Sequence, residues 1–225
     1  MRDKLLHTVL PVVTGIWLAG AIVAAFMAVP PISGLGELGR IAWFHIPSAW
    51  VSVLAFAVAT VNSIIYLARR GIEADDRAVA AAGLGLLFAL IATISGAFWA
   101  RRAWGVFWNW DPREASIVIL LLLYGAYFAL RAAIDDERRR GVLAAAYNIA
   151  AFITVPYLVF VVPRVMESLH PDPVVNADGS GGMAGDMMGV LILTTIGFTL
   201  LFLWIFSIAV RYIRLRREVL HGGAL

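Results

Sequence analysis

Long apolar runs separated by short charged stretches set the pattern of this chain. Five runs, 8–29, 46–68, 78–100, 142–162 and 187–210, hold no Asp, Glu, Lys, Arg or His. A helix needs about 20 apolar residues to cross the hydrocarbon core of a membrane, and all five runs reach that length. A sixth run, 115–130, is shorter. It becomes long enough at 115–133 when Arg131 snorkels to the interface and keeps its guanidinium wet. Barrel strands would be shorter and would alternate apolar with polar residues, which these runs do not do. The pattern predicts an all-α, polytopic membrane protein: one domain over 1–225, a bundle of six transmembrane helices at about 8–29, 46–68, 78–100, 115–133, 142–162 and 187–210. A Trp-rich connection, 101–114, joins the third helix to the fourth.

Composition agrees. Hydrophobic residues make up 61% and charged residues 15%, whereas a water-facing domain carries about 25% charged residues. The net charge of +3 does not call for nucleic acid, because the basic residues cluster between the apolar runs, where they orient the protein in its membrane. Thirteen of the eighteen Lys and Arg residues fall at the N-terminus, after the second and fourth runs, and in the C-terminal tail. The other five, Arg40, Arg101, Arg102, Arg113 and Arg164, lie on the opposite side. Positive-inside orientation then predicts cytoplasmic termini, and connections one, three and five facing outward. The first run is too long for the apolar region of a signal peptide, roughly 7–15 residues, and reads as a retained helix. The chain has no cysteine, which excludes disulfides, thiol catalysis and sulfur-ligated metals.

The unusual chemistry sits in the outward connections. His45 closes the first of them, in Trp-Phe-His-Ile-Pro, and His170 lies in the last of them, in Ser-Leu-His-Pro. Odd-numbered connections share a face whichever way the protein inserts, so the two histidines and the Trp-rich segment lie together. An isolated interfacial His is ordinarily a hydrogen-bonding residue. Two of them without cysteine suit a haem iron better than zinc, because haem brings four ligands and leaves two axial positions. Trp99, Trp104, Gly105, Phe107, Trp108 and Trp110 are denser than an interfacial aromatic belt requires, although such a belt accounts for Trp17, Trp50 and Trp204. A platform for a flat macrocycle accounts for the cluster better, with Gly105 allowing a tight turn. Asp111-Pro112-Arg113-Glu114 reads first as a helix start, with N-cap, proline at N1 and glutamate at N3. Of the outward arginines, Arg113 is best placed to meet a haem propionate, the alternative being a lipid headgroup. The connection 163–186 carries Glu167, Asp172, Asp178 and Asp186 with several glycines. It suits either a lid or docking surface or a plain solvated loop.

Trp104-Gly-x-x-Trp108-x-Trp110-Asp111 resembles the tryptophan-rich "WWD" signature of the haem-handling membrane proteins of cytochrome c assembly. With six spans and one outward histidine on each side of the signature, the chain most resembles the CcmC branch, over nearly its whole length. The resemblance implies haem b held at the periplasmic face of a bacterial inner membrane, with His45 and His170 as axial ligands. It implies cofactor contacts from Trp99, Trp104, Gly105, Trp108, Trp110, Asp111 and Arg113. It also implies transfer of haem to the chaperone CcmE, alongside the subunits CcmA, CcmB and CcmD. ATP hydrolysis in that scheme belongs to CcmA, and this chain has no phosphate-binding Gly-x-x-x-x-Gly-Lys-Ser/Thr of its own. It therefore reads as a transfer protein rather than an enzyme.

Asp-Pro followed by an acid is closer to the CcmF and CcsA branches, which imply a haem-lyase component. A transporter subunit without haem is a further alternative, set back by the lack of ionisable residues within five of the runs. A structural subunit whose Trp segment binds another membrane protein is the last.

Overall fold

The computed structural model describes residues 5–31, 35–171 and 185–222. Six helices are long and apolar enough to cross a membrane, and no strand forms among the described residues. They are α1 (Leu10–Met27), α2 (Ala42–Arg69), α3 (Ile72–Ala103), α4 (Pro112–Ala132), α5 (Glu137–Pro156) and α6 (Gly185–Gly222). A π turn, Tyr157–Val161, and a short α turn, Val162–Val165, prolong α5 beyond Pro156. The helices run past the apolar cores that mark them in the sequence. With 32 residues, α3 is about 48 Å long at 1.5 Å per residue, so it projects beyond a hydrocarbon core of about 30 Å.

The second helix is the centre of the bundle, packed against α3, α5 and α6. Lipid is as apolar as a leucine side chain, so close van der Waals packing rather than hydrophobic transfer holds such helices together. Small residues permit it. Ala55 and Ala59 of α2 and Ala81, Ala82 and Ala89 of α3 are buried, and Gly85 of α3 leaves room for the Phe56 ring. That ring stacks on Tyr124 of α4 with centroids 3.5 Å apart. On the other side, Gly197 of α6 admits Leu18 and Trp17 of α1, and the Trp17 indole donates to the Leu193 carbonyl at 2.9 Å. Trp17 thus ties α1 to α6, where the sequence suggested an interfacial anchor.

Two expectations change at the helix ends. The second helix begins at Ala42, four residues before the expected span, and a 3-10 turn, Glu37–Ile41, leads into it. Pro47, which has no N–H to donate, therefore lies inside the helix and not at its start. The turn before it is anchored from outside: Trp43 is fully buried and His45 bonds to α3. His45 thus stands on a membrane-length helix and not in a loop. Arg131 does not snorkel to water; it forms a bidentate pair with Asp75 of α3, both N···O distances being 2.7 Å. Nearby, Arg217 of α6 pairs with Asp76 of α3 and lies 3.6 Å from Glu137 of α5. Ion pairs thus join α3, α4, α5 and α6 at the end opposite the Trp-rich segment.

Removing one member of a buried ion pair strands the other charge. Asp75→Asn is expected to cost about 3 kcal/mol and to lower the melting temperature of the detergent-solubilised protein. The double variant Asp75→Leu/Arg131→Met is expected to recover most of that loss. Equal melting of wild type and Asp75→Asn would show that the pair contributes nothing.

Candidate functional site

The Trp-rich segment is shorter than the sequence suggested, because α3 continues to Ala103 and Trp104 caps it. The non-helical stretch then spans 104–111 before α4 starts at Pro112. Two residues turn the chain with positive φ, Gly105 at 80° and Trp110 at 64°. Gly105 takes that conformation freely, and Arg101 closes the turn by donating to its carbonyl. Trp110 is held in the left-handed region by hydrogen bonds on either side of it. The Glu114 carboxylate accepts from the backbone N–H of Asn109 at 2.9 Å and of Asp111 at 3.3 Å. The Asp111 carboxylate accepts from the Arg113 N–H at 3.0 Å. The sequence-predicted capping box is present in full.

Asp111 does more than cap. Oδ2 accepts from the Leu169 N–H at 2.8 Å, and the Ser168 hydroxyl reaches both oxygens at 2.9 and 3.0 Å. His170 Nδ1 lies 2.8 Å from Oδ1. Ser168 Oγ also accepts from the His170 backbone N–H at 3.1 Å, so the Ser-Leu-His segment folds around one carboxylate. Burial alone would raise the Asp111 carboxyl. The Arg113 N–H, the Ser168 hydroxyl, the Leu169 N–H and the neighbouring imidazole outweigh it and hold the group below the usual carboxylate range. Burial pushes the His170 imidazole down to about 4, against the pull of Asp111, and the positive charge of Arg113 adds to the depression. At neutral pH the contact is therefore a hydrogen bond from a neutral imidazole to an ionised carboxylate. Nδ1 carries the proton and Nε2 keeps its lone pair.

His45 reaches the same state by another route. Its Nδ1 lies 2.9 Å from the Ala92 carbonyl of α3 and 3.2 Å from Ser95 Oγ. A carbonyl only accepts, so Nδ1 must donate, and in the neutral ring Nε2 is the free lone pair. Both imidazoles address one face of α3. His45 lies against Ala92 and Gly96, and His170 stacks on Trp99 at 6.1 Å and 22°. Residues 92, 96 and 99 follow the i, i+4, i+7 spacing of a single helix face. Gly96 and Trp99 are about 5 Å apart along the axis at 1.5 Å per residue.

The indoles fall into two groups. Trp99 and Trp104 enclose His170, with Trp104 edge-on to the imidazole at 4.8 Å and to Trp99 at 5.2 Å. Trp108 and Trp110 pair edge-on with each other at 5.7 Å, and Trp110 is exposed. The outward arginines separate as well. Arg40 is buried, donating to the carbonyls of Ala25 and Val29 at the end of α1 and pairing with Glu37. Arg101 binds Gly105 and lies over the Phe107 ring at 5.6 Å. Arg164 donates to the Phe160 carbonyl at 2.7 Å. The charge of Arg113 is the one felt at His170.

Sequence reasoning missed Ser168, Ser95, Gly96 and the Ala92 carbonyl. Ser168 stood two residues before a singled-out histidine, which is a local signal. The other three carry no signal without the α2–α3 contact. Of the acidic connection, Asp172 and Asp178 and the glycines 179, 181 and 182 lie outside the described residues.

Among the described residues no three His, Cys, Asp or Glu side chains gather to hold a bare metal ion. Two neutral imidazoles presenting Nε2 fit a metal that brings its own in-plane ligands. Comparison with known proteins gives the family. The family model described as "Heme exporter protein C" matches residues 1–222. A protein of that name from Bradyrhizobium diazoefficiens is 34% identical over 184 residues, 82% of this chain and 70% of the relative. Another from Rhodobacter capsulatus is 31% identical over 210 residues, 92% of this chain and 83% of the relative. A third from Paracoccus denitrificans is 33% identical over 184 residues, 82% of this chain and 74% of the relative. With six membrane-length helices and this match along nearly its full length, the chain belongs to the Heme exporter protein C (CcmC) family.

Proposed function

We propose that this protein binds haem b at the end of the bundle that carries the Trp-rich segment, and presents it for transfer in cytochrome c maturation. The observation that carries the reading is the shared state of two histidines. His45 and His170 each have Nδ1 committed to an acceptor, and each offers an Nε2 lone pair beside one face of α3. When bound, haem supplies the iron and a flat apolar surface. The chain's own residues hold it: His45 and His170 as axial ligands, Trp99 and Trp104 as apolar walls that exclude water around His170, Trp108 and Trp110 as the outer edge. Asp111 orients His170, Gly105 lets the segment turn, and Arg113 pairs with a propionate.

On this reading the membrane is a bacterial inner membrane, and the basic residues favour cytoplasmic termini with the site facing the periplasm. The receiving partner on this reading is the haem chaperone CcmE, and the subunits CcmA, CcmB and CcmD complete the system, with CcmA supplying ATP hydrolysis. Contacts with membrane lipid cover the rest of the surface, and nucleic acid has no part.

Purified wild-type protein is expected to show a Soret band with the narrow visible bands of six-coordinate haem. His45→Gly and His170→Gly should each lose haem and regain it when imidazole is added. Asp111→Asn should resemble His170→Gly, because an amide replaces two of the acceptor positions with donors. A wild-type protein without any Soret band after haem loading would end the reading. Arg113→Ala should weaken binding of haem by roughly tenfold, and binding of its dimethyl ester much less, since the ester lacks the charge that Arg pairs with. Equal losses for both would remove the propionate contact. Orientation can be read directly because the chain has no cysteine. A membrane-impermeant maleimide is expected to label Val106→Cys and not Arg138→Cys in intact spheroplasts. The reverse pattern would invert the proposed topology.

A further inference from the structure

Gly96 is singular among the described glycines for what lies against it. A Cβ built there would stand 2.8 Å from His45 Cε1, 3.3 Å from Nδ1 and 3.8 Å from Nε2. Real Cβ atoms do not come that close to a ring, so a methyl group and the imidazole cannot both occupy the space. The other close approaches to α3 glycines differ. Gly85 faces the Phe56 ring, and Gly83 meets only Phe128 Cζ, at an ordinary 3.6 Å. One turn before Gly96, the Ala92 carbonyl takes the His45 Nδ1–H, and Ser95 Oγ lies 3.2 Å from the same nitrogen. Ser95 itself donates to the Ile91 carbonyl at 2.7 Å, which leaves its oxygen as the acceptor toward His45.

We infer that Ala92, Ser95 and Gly96 form a notch in α3 that positions His45, with Gly96 the residue that lets the imidazole reach the Ala92 carbonyl and so fixes its Nδ1–H tautomer. Which ring nitrogen bears the proton is decided by the bonds its surroundings offer, and a ligating histidine is oriented by the partner of its second nitrogen. A backbone carbonyl on a neighbouring helix is a stiff partner. It aims Nε2 as long as the ring can lie in the notch. A side chain at 96 pushes the ring off the carbonyl, and the tautomer and direction of Nε2 are lost together. Gly96 touches no iron and acts only through His45. The inference rests on the reading that His45 meets the haem iron for its functional consequence, while the notch itself stands without haem.

The test uses the full-length protein in detergent, with two readouts. In the haem-free state, histidine ring nitrogens labelled with 15N are expected to show His45 protonated at Nδ1, assigned by loss of the signal in His45→Gly. Gly96→Ala should shift that signal to the other tautomer or to a mixture. In the haem-loaded state, Gly96→Ala should bind roughly 10- to 100-fold more weakly and regain six-coordinate bands with added imidazole, while Gly83→Ala matches wild type. An unchanged His45 ring spectrum in Gly96→Ala would overturn the notch. If wild type binds no haem but the tautomer shifts as expected, the haem reading fails and the notch survives. Should Gly96→Ala misfold, the double variant His45→Gly/Gly96→Ala decides. It is expected to fold like His45→Gly, because the imidazole that obstructs the methyl is gone. A double variant that also misfolds would show that Gly96 serves some other contact and would overturn the inference.

Discussion

Asp111 accepts from the first turn of its own helix and from a segment 59 residues further along the chain, and the geometry around His170 depends on that carboxylate. An ionised carboxylate offers about four acceptor positions. Here the Arg113 N–H, the Ser168 hydroxyl, the Leu169 N–H and His170 Nδ1 use them. Hydrogen bonds to charged groups are worth about 1.5–3 kcal/mol each, so this cluster offsets the cost of burying the charge and still orders a connection. Glu114 makes that possible. By taking the N–H groups of Asn109 and Asp111, it leaves most of the Asp111 acceptors for the distant segment. The capping box is therefore the base of the site, and helix capping and the orientation of His170 are one arrangement.

The ties between distant segments differ at the two ends of the bundle, the Arg40–Glu37 pair being local to one turn. At the site end a carboxylate collects neutral donors, and burial keeps its histidine uncharged against the pull of that carboxylate. At the far end carboxylates meet guanidinium groups: Asp75 with Arg131, and Asp76 and Glu137 with Arg217. Those pairs tie four helices where they leave the apolar layer, and between the two ends lie alanines, glycines and stacked rings. A polar tie at each end with close-packed small residues between them suits a bundle that gains little from hydrophobic transfer within lipid.

Much of this was legible in the chain itself. Uninterrupted apolar runs are an unambiguous signal because lipid forbids unsatisfied backbone, and all six helices stand where those runs lie. The Asp111–Glu114 spacing announced a helix start because capping is local. What escaped was non-local. Nothing near Asp75 or Arg131 reveals that they pair across 56 residues, so Arg131 read as a snorkelling residue. An apolar run that stops at His45 placed the start of the second span at 46, because the contacts that stabilise the preceding turn come from α3 and from the packing around Trp43. The Trp cluster read as one platform; its indoles pair as Trp99 with Trp104 around His170 and as Trp108 with Trp110, with the Gly105 turn between the two pairs. Gly96 was one glycine among 20, and only the packing of α2 on α3 sets it apart.

The two histidines share a tautomer but not a mounting. His45 is seated between two long helices, its proton on a backbone carbonyl and its ring against a glycine. Moving it requires separating α2 from α3 or turning the ring out of a space cut to its size. His170 hangs from a connection, held by side-chain and backbone bonds to one carboxylate and by indoles on two sides. Displacing it breaks a few charge-assisted hydrogen bonds and leaves the helices in place. Helix packing is a cooperative constraint, whereas a cluster of hydrogen bonds can exchange its members one at a time with water. On the proposed reading, such a site has one fixed ligand and one that yields first, an inequality that suits holding a cargo and then giving it up.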